Sequence, residues 1–283
     1  LPYIGGQELF SSGEIAPRRH AICFWDWPLT KVESEYPVLY KRIFEKVKPS
    51  RDKVNRDRTK RLWWIHAENR PGLYHAIGMG GHFSKHPKDW QPASGLSRVI
   101  VKAKSSDTWA FAFLPSKMIF DQSLVIFASD QDSFFSVLQS DIHLTWADAL
   151  LSGNKGVEAR KQGGAPLSYT PSTCFETFPL PPLDKGLSLV GHSYYSFRQK
   201  VMTENKEGLT KIYNRFHDAN ASSHNLVELR RLHFEMNLAV VAAYGWQDID
   251  LGQGFQDTKQ GIRYTISDAA RREVLDRLLA LNH

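Results

Sequence analysis

The sequence has little cysteine and no long hydrophobic run, and both features narrow the class of protein. Only two of the 283 residues are cysteines. Cys23 and Cys174 lie far apart and lack CxxC spacing, so neither a disulfide framework nor a zinc site is predicted, and a reducing cytosol fits. No segment approaches the roughly eighteen apolar residues of a membrane span, and no signal peptide opens the chain. We therefore expect a soluble, globular, cytoplasmic protein without a membrane partner.

Catalytic signatures are also missing. The glycines of GMGG (78–81) follow no apolar strand and precede no Gly-Lys-Ser/Thr, so a phosphate-binding loop is not predicted. His82 and His86 are four residues apart, but an adjacent proline argues against the helix that would give them a shared face for a metal. Asp121 and Asp132 lack the Glu-x-Lys neighbour that a metal-dependent nuclease requires. The sequence therefore predicts a recognition module with no catalytic centre, metal or cofactor in these residues.

What the sequence does contain is a strongly basic segment. Residues 41–61 hold ten Lys or Arg against three acids, a net charge of +7, whereas the whole chain carries +6. Trp63 and Trp64 follow this segment closely. Concentrated cations beside flat aromatic rings suit a polyanion with stackable faces, so nucleic acid is the first hypothesis. The alternative is a solvated charged helix that the tryptophan pair anchors to a core.

The pattern of apolar residues predicts an α+β fold. Residues 32–47 repeat apolar positions every three to four residues, which indicates an amphipathic helix with Lys46 on its outer side. Residues 50–61 have almost no apolar content and are predicted to form an exposed arm. Four strands between residues 97 and 128 are expected to form a meander. The predicted strands are 20–25, 97–104, 109–115, 118–120 and 124–128, and the predicted helices are 32–47, 71–77, 132–151, 187–207, 226–244 and 267–283, the last with Ser267 as N-cap.

Five segments of the chain resemble the C-terminal half of one family. They are LVIFASDQDSFFSVLQSDIHLTWADAL (124–150), SYTPSTCFETFPLP (168–181), EGLTKIYNRFHD (207–218), AAYGW (242–246) and LLALNH (278–283). The family comprises large single-chain DNA adenine-N6 methyltransferases of restriction-modification and phage-exclusion systems, including the type IIL enzymes. In that family a methylase core with FxGxG- and NPPY-like motifs precedes a target-recognition domain and a helical tail. Neither motif occurs here and the chain opens at Leu1 without Met, so we expect a fragment of a longer polypeptide.

The resemblance implies two domains and a role for the parent enzyme. Residues 1–182 would form a mixed α/β target-recognition domain, and residues 183–283 a mainly α-helical C-terminal domain, with the proline-stiffened segment 168–182 as their boundary. The parent would transfer a methyl group from S-adenosylmethionine to an adenine flipped out of the duplex, with or without a fused endonuclease. The implied partners are double-stranded DNA and the upstream methylase domain of the same chain. The implied cofactor belongs to that upstream domain.

Phosphate contacts supply affinity, and contacts to base edges supply sequence choice. The predicted contacts to the DNA backbone are Lys46, Lys48, Arg51, Arg56, Arg58, Lys60 and Arg61, together with Lys102 and Lys104, which the period of two puts on one face of a strand. The predicted contacts for base readout or stacking are Trp63, Trp64, Asn69, Arg70, Lys85, Lys117, Gln122 and Lys155. At least one of the two tryptophans is expected to pack in a core. If about five phosphates are engaged, log K falls with log salt at a slope of about −4 to −5.

Two other functions are compatible with the sequence. The chain could be a protein-interaction scaffold, in which the helical tail docks a methylase or nuclease domain and the basic segment only tethers. Such a scaffold would show no affinity for duplex DNA and no sequence preference. A stand-alone nuclease is the third interpretation, and the missing metal constellation argues against it.

Overall fold

The computed structural model describes residues 1–11, 13, 15–92, 95–152 and 168–282, and its fold is α+β, as predicted. The first third of the chain is built from short elements, because prolines and glycines interrupt it repeatedly. These elements are β1 (Pro2–Ile4), α1 (Gly6–Ser11), β2 (Arg19–His20), α2 (Leu29–Glu35), α3 (Pro37–Lys46), α4 (Lys48–Arg51), α5 (Asp57–Arg61), α6 (Pro71–Ala76) and a 3₁₀ turn at Gly80–His82.

The remainder of the chain holds the longer elements. These are β3 (Arg98–Ala103), β4 (Phe111–Pro115), β5 (Ile119–Phe120), β6 (Leu124–Phe127), α7 (Asp132–Gln139), α8 (Asp141–Ser152), α9 (Pro171–Cys174), α10 (Lys185–Asn205), α11 (Leu209–Phe216), α12 (His224–Ala243), β7 (Gly254–Thr258), β8 (Gly261–Thr265) and α13 (Asp268–Leu281). Within the described part of the chain, no helix combines the length and the apolar character needed to cross a membrane.

The main sheet has β3 at its centre, antiparallel to β4 on one side and to β6 on the other. Val99, Ile100 and Val101 are each 0% exposed, so both faces of β3 are covered. Continuous apolar character is what a strand covered on both faces requires. In the register, Ile100 lies opposite Phe113 of β4 and Phe127 of β6. This sheet lies at the centre of the largest cluster of buried side chains in the described residues.

The strands do not form the predicted meander. β5 leaves the main sheet and pairs in parallel with β1, which is also antiparallel to β2, and Ile4 lies opposite Phe120. Alternation in a sequence marks a strand but not its partner, because every strand offers the same backbone donors and acceptors. The predicted strand 20–25 is also reduced, since β2 covers only Arg19–His20.

Helices from the C-terminal part of the chain cover the main sheet. α10 packs against α7 and α12, and Gly191 permits the close approach to α7, because a Cβ at this position would overlap the backbone of Asp132. The fully buried Arg198 donates to the carbonyl oxygen of Phe111 at 2.6 Å and to the hydroxyl of Tyr213 at 2.9 Å. One cluster of buried side chains therefore joins elements on both sides of the predicted domain boundary. The division into two domains stays a prediction.

Two segments predicted as single helices are broken. Pro37 has no backbone N–H and disfavours a helical residue before it, so residues 32–47 divide into α2 and α3 at Tyr36. Residues 132–151 divide into α7 and α8 at Ser140, whose ψ of 158° is extended. The N–H of the next residue, Asp141, donates at 2.9 Å to the side chain of Asn237 on α12. A contact distant in sequence therefore replaces a helical hydrogen bond that periodicity alone would predict.

The C-terminal segment contains one hairpin that was not predicted and one helix start that was. The antiparallel hairpin of β7 and β8, whose turn ends at Gly261 with a φ of +86°, is not among the predicted strands. Helix α13 begins where it was predicted. The hydroxyl of Ser267 accepts a hydrogen bond from the N–H of Ala270 at 3.1 Å, which confirms the N-cap.

Candidate nucleic-acid interface

The basic segment belongs to a small helical unit with its own hydrophobic cluster, which we call the platform (residues 22–65). The fully buried members of this cluster are Phe24, Val32, Ile43, Trp63 and Ile65. The predicted arm of residues 50–61 is not extended, because part of it folds into α4 and α5 and buries Thr59. The cations therefore sit on a folded surface, whose geometry is fixed before any ligand binds.

Helix α3 carries the first cations of the platform. Pro37 occupies its first turn, where the missing N–H costs nothing and the fixed φ favours the helix. Ile43 is buried and Tyr40 is half-buried, with the tyrosine ring 6.0 Å from that of Trp63, so this face is turned to the platform core. The exposed cations of α3 are Lys41, Arg42 and Lys46.

Some predicted phosphate contacts already have partners within the chain. The pairs are Arg56–Glu68 at 2.5 Å, Lys48–Asp52 at 2.7 Å, Arg61–Asp57 at 3.8 Å, and Arg58 to the carbonyl oxygen of Ala67 at 2.7 Å. The hydrogen bond from Arg56 holds the pKa of Glu68 below its ordinary value. Such exposed pairs add little stability, but they reduce the charge that these side chains present to a ligand.

Six cations of residues 41–61 make neither an ion pair nor a side-chain hydrogen bond with any residue that the structure describes. They are Lys41, Arg42, Lys46, Arg51, Lys53 and Lys60. Sequence reasoning omitted Lys41, Arg42 and Lys53 from the phosphate contacts. The first two could have been found, because they lie opposite the apolar stripe of residues 32–47. Glu68 could not have been identified from the sequence as the partner of Arg56, because nothing in the sequence indicates that it folds back onto Arg56.

The tryptophan pair belongs to the platform core. Trp63 is 7% exposed, and its ring lies 5.9 Å from that of Phe44. It cannot stack on a base unless the platform unfolds, so the stacking prediction is corrected for Trp63. Trp64 is half-buried, and its indole N–H donates to the carbonyl oxygen of Trp27 at 2.8 Å. A stacking role for Trp64 stays a prediction.

Lys102 is the second correction. The sequence placed it beside Lys104 on an exposed face, but both faces of β3 are covered and Lys102 is 2% exposed. Its Nζ lies 3.4 Å from the carbonyl oxygen of Thr108 and 4.7 Å from the ring centroid of Trp109. Burial lowers the pKa of Lys102 to about 7. This side chain cannot reach a phosphate, whereas Lys104 lies just beyond the strand and is exposed.

A groove of about 790 Å³ along β6 brings three predicted site residues together. The polar side chains that line it include Glu68, Arg70, Lys104 and Gln122. Its apolar lining comes from β6 itself and from Phe134, Phe175 and Leu183. Apolar walls with a few convergent polar groups are typical of binding sites, and Arg, Lys and Gln are the usual side chains for reading purine edges.

The groove is connected to the platform through Glu68, which lines the groove and pairs with Arg56. Arg70 is held in the left-handed region with a φ of 47°, and its guanidinium lies 3.5 Å from the carbonyl oxygens of Phe120 and Asp121. A left-handed non-glycine residue costs about 1 kcal/mol or more, so its neighbours must fix this conformation. The conformation of Arg70 at the edge of the groove is therefore set by the fold around it.

The other predicted base contacts do not converge on this groove. Asn69 is half-buried, with its side-chain amide 3.5 Å from the carbonyl oxygen of Trp25. Lys85 and Lys117 are exposed on separate loops. Lys155 lies outside the described residues. These four positions stay predictions.

Among the described residues, no group of three or more His, Cys, Asp or Glu could hold a metal ion. Within GMGG, Gly80 is packed closely, because a Cβ at this position would meet the rings of His75 and Trp90, whereas a Cβ on Gly81 would meet nothing within 4 Å. The S-adenosylmethionine that the family resemblance implies for the parent enzyme stays a prediction.

Comparison with known proteins links the fold to restriction-modification enzymes. One solved structure similar to this chain is that of the type IIL restriction-modification enzyme MmeI in complex with DNA, with a TM-score of 0.58 and 13% sequence identity. The match covers 99% of this chain but 30% of the MmeI chain, so the present chain corresponds to under a third of that enzyme. At this identity the likeness shows the fold alone. No protein-family model matches the chain, and no curated protein matches it in sequence.

Proposed function

We propose that this chain is the DNA-binding, sequence-specificity region of an S-adenosylmethionine-dependent DNA adenine-N6 methyltransferase from a restriction-modification or phage-defence system. The observation that carries the proposal is the platform. Its basic segment holds a net charge of +7, the remainder of the chain sums to −1, and six of its cations are unpaired among the described residues. The fold shared with an enzyme solved in complex with DNA supports the same function.

The platform suits a duplex for electrostatic reasons. Each cation that neutralises a phosphate releases a condensed counterion, and log K then falls with log salt by about 0.9 per contact. Five to six such contacts give a slope of about −5. Because the cations sit on a folded surface, little backbone order has to be gained on binding.

Sequence choice and methyl transfer would be separate tasks. Arg70, Lys104 and Gln122 in the groove are candidates for contacts to base edges or to the adjoining phosphates. The methylase core, outside this chain, would bind S-adenosylmethionine and the flipped adenine. The residues described here would hold the duplex in register while that core acts.

The proposal is tested by following the binding of a labelled duplex across salt concentrations. In one variant Arg51, Lys53 and Lys60 are changed to Ala, and in a charge-matched control the exposed Lys185, Lys211 and Lys259 are changed to Ala. The platform variant is expected to bind every duplex more weakly, and its salt slope should be shallower by about 3. The control should retain the wild-type slope.

Two outcomes would overturn the proposal. If the wild-type chain binds no duplex at low salt, the scaffold interpretation is preferred. If the platform variant and the control weaken binding equally, the platform has no special role. Thermal unfolding of both variants checks that the exposed substitutions leave the fold intact.

A further inference from the structure

The outer face of α3 has a composition that phosphate binding alone does not explain. Val38, Arg42 and Glu45 lie at positions i, i+4 and i+7, so they share one face of the helix. Val38 is 79% exposed, the largest fraction among the exposed large hydrophobic side chains of the described residues. Glu45 is exposed and makes no ion pair with a described residue, although Lys41 and Lys46 are close to it in sequence.

The packing of the platform fixes which way this face points. Tyr36, Tyr40, Ile43 and Val47 lie on the opposite side of the helix and belong to the platform cluster. At 100° per residue, the face centred on Val38 and Glu45 is turned directly away from that cluster. Helix α3 therefore presents a rigid, solvent-facing surface, and rotation to hide Val38 would expose the buried Ile43.

The dimensions of this face match a DNA groove. An α-helix fits the major groove of B-DNA, which is about 12 Å wide. Val38 and Glu45 are about 10 Å apart along the helix axis at 1.5 Å per residue. That distance corresponds to about three base pairs at 3.4 Å each. Three side chains one turn apart can thus address three successive base pairs.

The chemistry of the three side chains matches base edges better than phosphates. A carboxylate turned towards phosphates is repelled, but in the major groove Glu45 can accept a hydrogen bond from the N4 amino group of cytosine. Arg42 can donate two hydrogen bonds to O6 and N7 of guanine, and Val38 can contact the methyl group of thymine. In the major groove, both the exposed valine and the unpaired glutamate would have a base-edge partner.

We propose that α3 is a recognition helix that lies in the major groove and reads bases through Val38, Arg42 and Glu45. The inference rests on the proposed function, since it requires that the platform binds duplex DNA. Lys46 and the cations of α4 and α5 contact the phosphates that flank the major groove of the DNA. The platform would then both bind the duplex and read its bases, in addition to any base contacts made by the groove along β6.

The test is a selection of duplexes from a library of randomised sequence, carried out with the wild-type chain and with the single variants Arg42→Ala and Glu45→Gln. Arg42→Ala is expected to lose discrimination at one G·C pair by about tenfold or more. Glu45→Gln is expected to move the preference at a nearby position from cytosine towards adenine, because glutamine pairs with N6 and N7 of adenine. Lys46→Ala is the control, and it should weaken binding to all sequences alike.

The outcomes separate this inference from the proposed function. If the wild-type chain selects a sequence and both variants select the same one with undiminished discrimination, α3 does not read bases, while the DNA-binding proposal stands. If Glu45→Gln only tightens binding to every duplex equally, its carboxylate acts as a charge and the inference fails. If the wild-type chain binds no duplex, both proposals fall.

Discussion

Replacing Lys102 with methionine is expected to stabilise the protein at pH 7, because this lysine is buried with almost no compensation. Its Nζ has one long hydrogen bond, at 3.4 Å to the carbonyl oxygen of Thr108. The ring of Trp109 lies 4.7 Å away, and a desolvated cation–π contact of this kind is worth about 2 kcal/mol. Methionine has a similar shape and keeps the packing without a charge.

The magnitude follows from the pKa. Burial lowers the pKa of Lys102 from 10.5 to about 7, which corresponds to about 5 kcal/mol against the charged form. Cation–π attraction offsets roughly 2 kcal/mol of this. The net gain expected for Lys102→Met at pH 7 is therefore about 2–3 kcal/mol, since lysine-to-methionine replacement also removes a weak hydrogen bond.

The dependence on pH has a definite sign. Between pH 7 and 10.5 the unfolded chain keeps a proton on this lysine that the folded chain has lost, so wild-type stability rises with pH in this window. One proton gives up to about 1.4 kcal/mol per pH unit, or about 2 kcal/mol between pH 7 and 9. The stability advantage of Lys102→Met should shrink by that amount over the same range.

Urea unfolding of the wild-type chain, Lys102→Met and Lys104→Met at pH 7, 8 and 9 measures these differences. Lys104 is exposed, so its variant should follow the wild-type profile. Duplex affinity gives an independent readout, because Lys102→Met should leave it unchanged while Lys104→Met should lower it. Parallel stability profiles for the wild-type chain and Lys102→Met, or a weaker duplex complex with Lys102→Met, would refute the assignment of a buried lysine with a lowered pKa.

Two further substitutions test the helices: one tests the close packing of α10 against α7, and the other tests the N-cap of α13. Gly191→Ala is expected to destabilise the protein by about 3 kcal/mol, because its Cβ would overlap the carbonyl of Asp132 and the hydroxyl of Ser136 and force α10 away from α7. Urea unfolding should show this loss, whereas Gly186→Ala in the same helix should change stability by less than about 1 kcal/mol; equal effects would contradict the close approach. Ser267→Ala is expected to cost about 1 kcal/mol through loss of the N-cap of α13, and an unchanged unfolding midpoint would show that the cap is dispensable.

The sequence predicted local structure well where a side-chain pattern reflects one face of one element. The stripe of residues 32–47 identified the buried side of α3, and Ser267 identified the start of α13. It failed where the decisive partner is distant. The pairing of β5 with β1 joins residues more than a hundred positions apart, and Asn237 interrupts the helix at Ser140. No local pattern contains that information.

The candidate site also combines features that the sequence predicts with features that only the tertiary fold decides. Charge concentration is a property of composition, so the platform could be identified from the sequence. The burial of Lys102 could not, because a strand covered on one face and a strand covered on both faces can carry the same lysine. The convergence of Arg70 and Gln122 on one groove depends on the contact of Arg70 with the carbonyls of Phe120 and Asp121, which only the tertiary fold decides.

Two sets of contacts link the platform to its surroundings, one at the groove and one at the neighbouring loop. Glu68 lines the groove and accepts a hydrogen bond from Arg56, whose backbone starts α5 on the platform. The platform is also fixed to the neighbouring loop, since the carboxylate of Asp26 accepts the N–H groups of Ser84 and Lys85 at 2.6 and 2.9 Å. A duplex held by the cations of α3 to α5 would thus meet the groove at a set offset. Rigid placement of this kind allows a few base contacts to discriminate, because a misplaced duplex cannot regain them by local adjustment.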